Sequence, residues 1–244
     1  MKLSIIIPIR NESNVITKTL DLITNSIKEI DYEIVIINDY SDDDSYRIVN
    51  EKKGTNNEIK LFNNKKKGLG GAINLGIEKS TGEVICIMMA DMSDDILDLK
   101  NYYKLIQSRD ISAVFGSRFI KGSSVTGYPL KKLFLNRIFN YITKFIFLSD
   151  YNDFTNAFKI YKKDALIKSM PLISESFNIF LEIPLKIISR KMNYKIIPIA
   201  WKNRKEDKTK FSIKELRSKY LFTLIYCFLE KILLRKKLHY LDKK

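Results

Sequence analysis

Short apolar runs alternate with longer amphipathic ones through the first half of the chain. Residues 3–9 are apolar and mostly β-branched, the pattern of a strand buried on both faces of a parallel sheet. Residues 11–14 supply cap-type side chains, and residues 15–27 place apolar positions at helical spacing. A second buried strand is expected over 33–38, ending in the acidic run Asp39-Tyr40-Ser41-Asp42-Asp43-Asp44. Then come a helix over 45–53, a short strand over 59–63, and a helix opened by Gly68-Leu69-Gly70-Gly71 that runs through Lys79. A buried strand over 83–89, a helix over 97–107 and a strand over 113–118 complete this half. Such alternation predicts an α/β domain with a mostly parallel central sheet.

Ligands of such sheets bind beyond the carboxyl ends of the strands. The polar motifs fall there: Asn11-Glu12, Asp39, Asp91 and Arg118 each follow an expected strand.

The second half reads differently. Residues 130–148 are apolar and aromatic, broken by Lys131, Lys132, Arg137 and Lys144. A helix is expected over 176–190, a short strand over 195–199 and a long helix over 213–234. The most apolar part of that last helix, 220–229, is too short to cross a bilayer core, which needs about 20 apolar residues. Glu230 and Lys231 interrupt it and Arg235-Lys236-Lys237 follow. Apolar and aromatic faces flanked by lysines fit helices lying in a membrane interface. The other reading of the same pattern is core helices with solvated lysines.

Composition narrows the classes. The 244 residues allow one sizeable core, and a 45% hydrophobic fraction excludes a disordered chain. A formal charge of +15 attracts anions: nucleic acid, anionic lipid headgroups or phosphorylated small molecules. No nucleic-acid-binding motif accompanies the charge, so a nucleic-acid partner is not expected. Cys86 and Cys227 each sit inside an apolar run without metal-ligand spacing, as reduced thiols of a cytosolic protein would. The first residues read as a strand and not as a signal peptide, so the body is expected in the cytoplasm, peripheral on the cytoplasmic face of a membrane. The single histidine, His239, excludes a His-based triad or a His metal cluster.

Gly68-Leu69-Gly70-Gly71 after a lysine run suggests a phosphate-binding turn, because glycines admit close approach and a helix start supplies N–H donors. It fits neither the dinucleotide nor the P-loop pattern. Asp91, at the end of a buried strand, could hold Mg²⁺ or Mn²⁺, ions that take one or two protein carboxylates and fill the rest of their shell with phosphate oxygens and water. Asp94 and Asp95 are expected to cap the next helix. Arg118, Lys132, Arg137, Arg204 and Lys210 are candidates to clamp a diphosphate or a lipid phosphate.

Taken in order, these segments resemble glycosyltransferase family 2, in particular its dolichol-phosphate mannosyltransferase and polyprenyl-phosphate glycosyltransferase group. Residues 4–12 are similar to the family's opening strand and P-x-x-N-E turn, and 34–45 to its V-D-D-x-S-x-D-x-T segment. Residues 67–72 resemble R-G-L-G-x-A, and 82–91 resemble the strand leading to a metal-binding D-A-D. Gly116-Ser117-Arg118 matches G-S-R, residues 153–159 are similar to D-x-T-S-G-F-R, and 204–210 to R-x-x-G-x-S-K.

The resemblance implies a GT-A type nucleotide-sugar-binding fold with C-terminal amphipathic helices. It would make residues 1–212 the catalytic domain, with an acceptor helix over 130–148, and leave 213–244 as a C-terminal amphipathic helix and basic tail. Pro8, Arg10, Glu12, Asp39, Gly68, Leu69 and Ala90 would line the donor pocket. Asp91 would ligate the Mg²⁺ or Mn²⁺ that bridges the diphosphate, and Arg204 and Lys210 would close over it. Arg118, Arg137 and Lys132 would receive an acceptor phosphate. Departures from the family pattern are Met89 for the first aspartate of D-A-D, Asn38 for the first acid of the second motif and Asp207 for the glycine of the last. Ser93 stands where a further polar metal ligand is expected, and Asp94 or Asp95 could complete the metal site.

The implied reaction is a single in-line displacement that inverts the anomeric carbon. A polyprenyl phosphate acceptor at an anionic membrane surface needs no general base, whereas a sugar hydroxyl does, with Glu182 or Asp153 as candidates. A third possibility is a basic membrane-binding module whose catalysis was lost with Met89.

Overall fold

The computed structural model describes the backbone of residues 1–203 and 213–241, and the side chains of 1–203 and 218–234. The first half follows the expected order: β1 (Leu3–Ile9), α1 (Ile16–Ser26), β2 (Tyr32–Asn38), α2 (Ser45–Thr55), β3 (Ile59–Asn63), α3 (Leu69–Lys79), β4 (Val84–Ile87), α4 (Ile96–Ile106) and β5 (Ala113–Ser117). The second half holds β6 (Ser124–Thr126), α5 (Leu130–Phe147), β7 (Lys159–Lys162), α6 (Lys163–Lys168), α7 (Ile179–Ser189), β8 (Tyr194–Pro198), β9 (Ala200–Lys202) and α8 (Ile213–Leu241).

Among the described residues, seven strands form one sheet in the order β3-β2-β1-β4-β7-β5-β8. All its pairings are parallel except those of β7, which runs antiparallel between β4 and β5. The sequence reading did not anticipate β7, β6, β9 or α6. These are three- to six-residue elements, too short to show a periodicity. β6 and β9 pair with each other outside the main sheet.

The uninterrupted apolar strands are explained by helices on both faces, because successive side chains alternate between the two sides of a sheet. On one face Val35, Ile37, Ile85 and Ile87 join α3 and α7 in a core. On the other, Ile34, Ile36, Val84 and Cys86 pack under α1 and α4. The long C-terminal helix is seated on the first of these cores through Leu224 and Cys227, both buried.

α5 carries apolar residues on both sides. Its inward face seats Phe139, Ile146 and the buried Phe147 on the core, together with Asn140 and Thr143, both essentially fully buried. Asn140 Oδ1 accepts the Phe154 N–H at 2.6 Å, and its Nδ2 donates to Asn136. The outward face presents Phe134, Ile138, Tyr141, Ile142 and Phe145, the last 79% exposed. α8 likewise exposes Leu221, Phe222, Ile225, Leu229 and Leu233 beside it. Among the described residues no helix is long and apolar enough to cross a membrane.

Candidate donor and acceptor site

The carboxyl ends of β1, β2 and β4 lie side by side, in register from Pro8 opposite Ile37 and from Ile6 opposite Ile87. The loop that leaves each strand contains a strained residue: Asn11, Tyr40 and Met92 all have φ of 54–57°, a conformation that side chains other than glycine seldom adopt. Strain of this kind persists only where the surroundings over-determine it. Here they do. The Asn11, Glu12 and Ser13 N–H groups donate to Ser41 Oγ, Ser45 Oγ and Asp43 Oδ2, and the Asp42 N–H donates back to Asn11 Oδ1. The first two motifs are thus one laced unit, and it carries Arg10 and Glu12 at its rim with Pro8 buried beneath.

Asp39 is held from one side only. Its Oδ1 accepts Asn64 Nδ2 at 2.7 Å and the Gly68 N–H at 2.8 Å. Oδ2 receives neither of these bonds, so the turn fixes the direction of the second oxygen. The sequence reading missed Asn64; an amide just beyond β3, the strand next to the Asp39 strand, was the available signal.

The Gly68–Gly71 turn departs from its expected role. The Gly68 N–H is used by Asp39 and the Gly70 N–H donates to the Glu175 carbonyl, so these two N–H groups at the start of α3 are not offered to a phosphate. The glycines are required for closeness instead. Gly68 has φ of 120°, and a Cβ on Gly70 would lie 1.8 Å from the Ser174 carbonyl oxygen. Leu69 is half-buried at the same turn.

Glu182 is corrected from proton acceptor to scaffold. It is fully buried, and its carboxylate takes the Ile173 and Ser174 N–H groups at 2.9 and 2.8 Å and Lys186 at 3.1 Å. With three donors on a carboxylate closed off from solvent it is out of reach of a substrate hydroxyl, and its effect is to hold the 173–175 loop against Gly68 and Gly70.

Asp153 is corrected in the same way, and Arg118 with it. Asp153 is fully buried and takes three bonds from Arg118: its N–H at 2.9 Å, Nε at 2.8 Å and an Nη at 2.7 Å. Burial works against the charge of Arg118, but Asp153 outweighs it and holds the guanidinium above its ordinary pKa. The bidentate edge of the fork, Nε with one Nη, is given to that carboxylate and Arg118 is 8% exposed, which leaves it poorly placed to grip an acceptor phosphate. The same guanidinium lies over the rings of Tyr128, Trp201 and Phe119. Arg137, on α5, stacks on Phe119 at 4.6 Å, bonds Tyr141 and stays half-exposed next to this cluster. Lys132 lies five residues earlier on the same helix.

Asp91 caps its own loop: Oδ1 accepts the Ser93 N–H at 3.0 Å and the Ser93 hydroxyl at 2.5 Å. Ala90, before it, is tethered by its carbonyl to Thr19 Oγ1 at 2.6 Å, a bond that the sequence did not disclose. Asp95 caps α4 as expected, accepting the Leu97 N–H at 2.9 Å. Asp94 does not cap; it is buried, and its backbone bridges to Trp201. Burial pushes the Asp94 carboxyl up to about 7, with Arg118 pulling the other way, and burial pushes the neighbouring Lys159 ammonium down to about 7. Arg204 and Lys210 lie outside the described residues.

A carboxylate with the Ser93 hydroxyl beside it offers oxygen ligands of the kind a hard divalent cation takes. Among the described residues no three His, Cys, Asp or Glu side chains converge as a metal cage. An ion here would therefore depend on the substrate diphosphate for much of its shell. Met89, in place of the first aspartate, turns instead toward the apolar core.

The sequence profile of glycosyl transferase family 2 matches residues 4–169, which contain Asp39, Asn64, Gly68, Asp91, Arg118 and Asp153. The chain belongs to glycosyl transferase family 2. Among family relatives, a dolichol-phosphate mannosyltransferase of Pyrococcus furiosus is 26% identical over 188 residues, 76% of this chain and 53% of that protein. A dolichyl-phosphate beta-glucosyltransferase of Trichomonas vaginalis is 27% identical over 224 residues, 85% of this chain and 66% of its own length. The chain thus spans about half the length of the Pyrococcus relative. In structure it is similar to glucosyl-3-phosphoglycerate synthase of Mycobacterium tuberculosis solved with UDP, at a TM-score of 0.70 and 13% identity, over 93% of this chain and 80% of that one. The same enzyme has been solved with Mn²⁺, UDP-glucose and phosphoglyceric acid, with a TM-score of 0.70 to this chain. At that identity the likeness shows the fold, which is of the GT-A type.

Proposed function

We propose that this family 2 protein moves a sugar from a nucleotide-sugar donor to a polyprenyl phosphate at an anionic membrane surface. The observation that carries the acceptor class is the exposed apolar face of α5. Phe134, Ile138, Ile142 and Phe145 stand in water although Phe139, Ile146 and Phe147 already serve the core, and a lipid surface gives that second apolar face a place to go. Lys131, Lys144 and the overall charge of +15 favour an anionic leaflet. The dolichol-linked activities of the two relatives support the same acceptor class.

In the site, Asp39 would accept a hydrogen bond from the base, with Arg10 and Glu12 at the pocket rim. Asp91 would hold Mg²⁺ or Mn²⁺, which supplies charge neutralisation at the departing diphosphate. Arg204 and Lys210 remain the candidates to close over that group. Arg137 and Lys132, and not Arg118, would meet the acceptor phosphate. A phosphate nucleophile is already anionic and needs no base, which agrees with the commitment of both Glu182 and Asp153 to internal bonds.

The test is transfer of label from a panel of nucleotide sugars to polyprenyl phosphate in the presence of Mg²⁺ or Mn²⁺, read in the organic phase. Label from one donor, abolished in Asp91→Ala and at least tenfold weaker in Arg137→Ala, is the expected result. Transfer only to saccharide hydroxyls would refute the acceptor, and no turnover with any pair would refute catalysis.

A further inference from the structure

Asp94 is the carboxylate for which the donor chemistry above has no use. It is 6% exposed, and among the described residues no side chain or backbone N–H donates to its oxygens. Only its backbone is engaged, in the bridge to Trp201. A largely buried acid without a protein donor stays open to water or to the hydroxyl of a ligand. The charged groups nearest to it do not satisfy it. Arg118 is taken up by Asp153, Asp98 accepts the Ala200 N–H, and Lys159 donates to the Phe154 and Asn156 carbonyls. The remaining neighbours, Cys86 and Tyr102, are buried, and Tyr102 gives its hydroxyl proton to the Phe158 carbonyl.

Its position says what is missing. Asp94 lies three residues beyond Asp91, in the loop that leaves β4 at the carboxyl edge of the sheet. Beside it the half-buried rings of Tyr128 and Trp201 stand 5.0 Å apart, steadied by the Arg118 guanidinium. A carboxylate with open acceptor positions next to two aromatic faces suits a pyranose: hydroxyls donate to the acid and C–H bonds lie on the rings. It does not suit a phosphate, which the acid would repel.

We infer that Asp94 receives a hydroxyl of the transferred sugar, with Tyr128 and Trp201 forming the platform beneath that ring, so that this cluster selects the sugar while Asp39 selects the nucleotide. The inference rests on the donor reading above and deepens it. Asp94 is then a specificity residue, and the sugar supplies the donor it lacks.

The experiment is calorimetric binding of the free nucleoside diphosphate and of the matching nucleotide sugar, at pH 8 with Mn²⁺, for wild type, Asp94→Asn and Asp94→Ser. The expected result is an unchanged nucleoside diphosphate affinity, which also reports that the variants are folded, together with a loss of about tenfold to a hundredfold in nucleotide-sugar affinity. A second arm needs no variant to fold: wild type is titrated with deoxy analogues of the sugar. One deoxy position should cost the same factor, and that analogue should lose nothing further in Asp94→Asn. Equal nucleotide-sugar affinities in all three proteins would overturn the inference while leaving the donor reading intact. So would a fall in turnover at unchanged affinity, which would make Asp94 a proton acceptor. Absence of binding by any nucleotide would overturn both.

Discussion

Replacing Asp153 by asparagine separates a structural from an acceptor-binding role for the Arg118 motif. The substitution removes one negative charge and little else. It leaves a guanidinium that is 7% exposed facing an amide, which can accept at one oxygen but sets its own N–H₂ against the Arg118 donors. Three bonds of 2.7–2.9 Å now link the pair. Breaking a buried ion pair from one side costs about 3–5 kcal/mol, because the remaining charge stays desolvated. For a chain of this length about 1 kcal/mol moves the melting temperature by 2–4 °C, so a fall of roughly 6–20 °C is expected. Thermal unfolding by circular dichroism reads it, with Arg118→Lys as a partner measurement. Lysine keeps the charge but lacks the fork, so it should recover only part of the loss. An Asp153→Asn protein that melts within about 2 °C of wild type, yet needs far more acceptor for half-maximal rate, would refute the reasoning and return Arg118 to the acceptor.

Gly70→Ala should destabilise the chain despite the ~0.5–1 kcal/mol that alanine gains in a helix, because its Cβ meets the Ser174 carbonyl at 1.8 Å and overpacking costs about 1–3 kcal/mol. The displaced Gly68 N–H should also weaken nucleotide affinity, which fluorescence titration would read; an unchanged affinity would deny that the turn positions Asp39. Glu33, 1% exposed, is pulled toward protonation by burial, but Lys60, Ser4 and Thr81 overcome this and hold it at about 2, below its ordinary 4.5. A depressed acid stabilises the fold above its unfolded pKa and loses that contribution as pH falls. Glu33→Gln should therefore cost about 3 kcal/mol at pH 7 and nothing near pH 2, with the gap closing between pH 4.5 and 2 in urea titrations. A gap independent of pH would refute the assignment. Phe134→Glu with Phe145→Glu should leave melting unchanged, since both side chains are exposed, and reduce co-sedimentation with anionic vesicles at least tenfold; equal sedimentation would remove the lipid surface from the proposal.

Local pattern was enough for the architecture. Strands whose apolar side chains run without a polar face, as in β1, β2 and β4, have one stable use, the middle of a sheet covered by helices on both sides. Their spacing with α1 to α4 placed Asp39 and Asp91 at one edge, because a parallel sheet brings every strand's carboxyl end to the same side. The 130–148 segment was legible as an amphipathic helix, but its orientation was not. Apolar residues occur on both sides of this helix, and only the folded structure shows that Phe139, Ile146 and Phe147 take the core side and leave Phe134, Ile138 and Phe145 outside.

Tertiary structure alone decided the state of the acids. Asp91, Asp94, Asp153 and Glu182 are equivalent letters in the sequence. Donors brought together by folding make Asp153 and Glu182 enclosed and paired, Asp91 a loop-holding ligand candidate and Asp94 a buried acid with no protein donor among the described residues. What a carboxylate can do depends on which N–H groups and charges surround it. In this fold those arrive from 35 residues away for Asp153, and from 8 and 9 residues back along the chain, across a turn, for Glu182. The residue type is written locally, whereas its hydrogen bonds and its desolvation exist only once the chain has closed on itself.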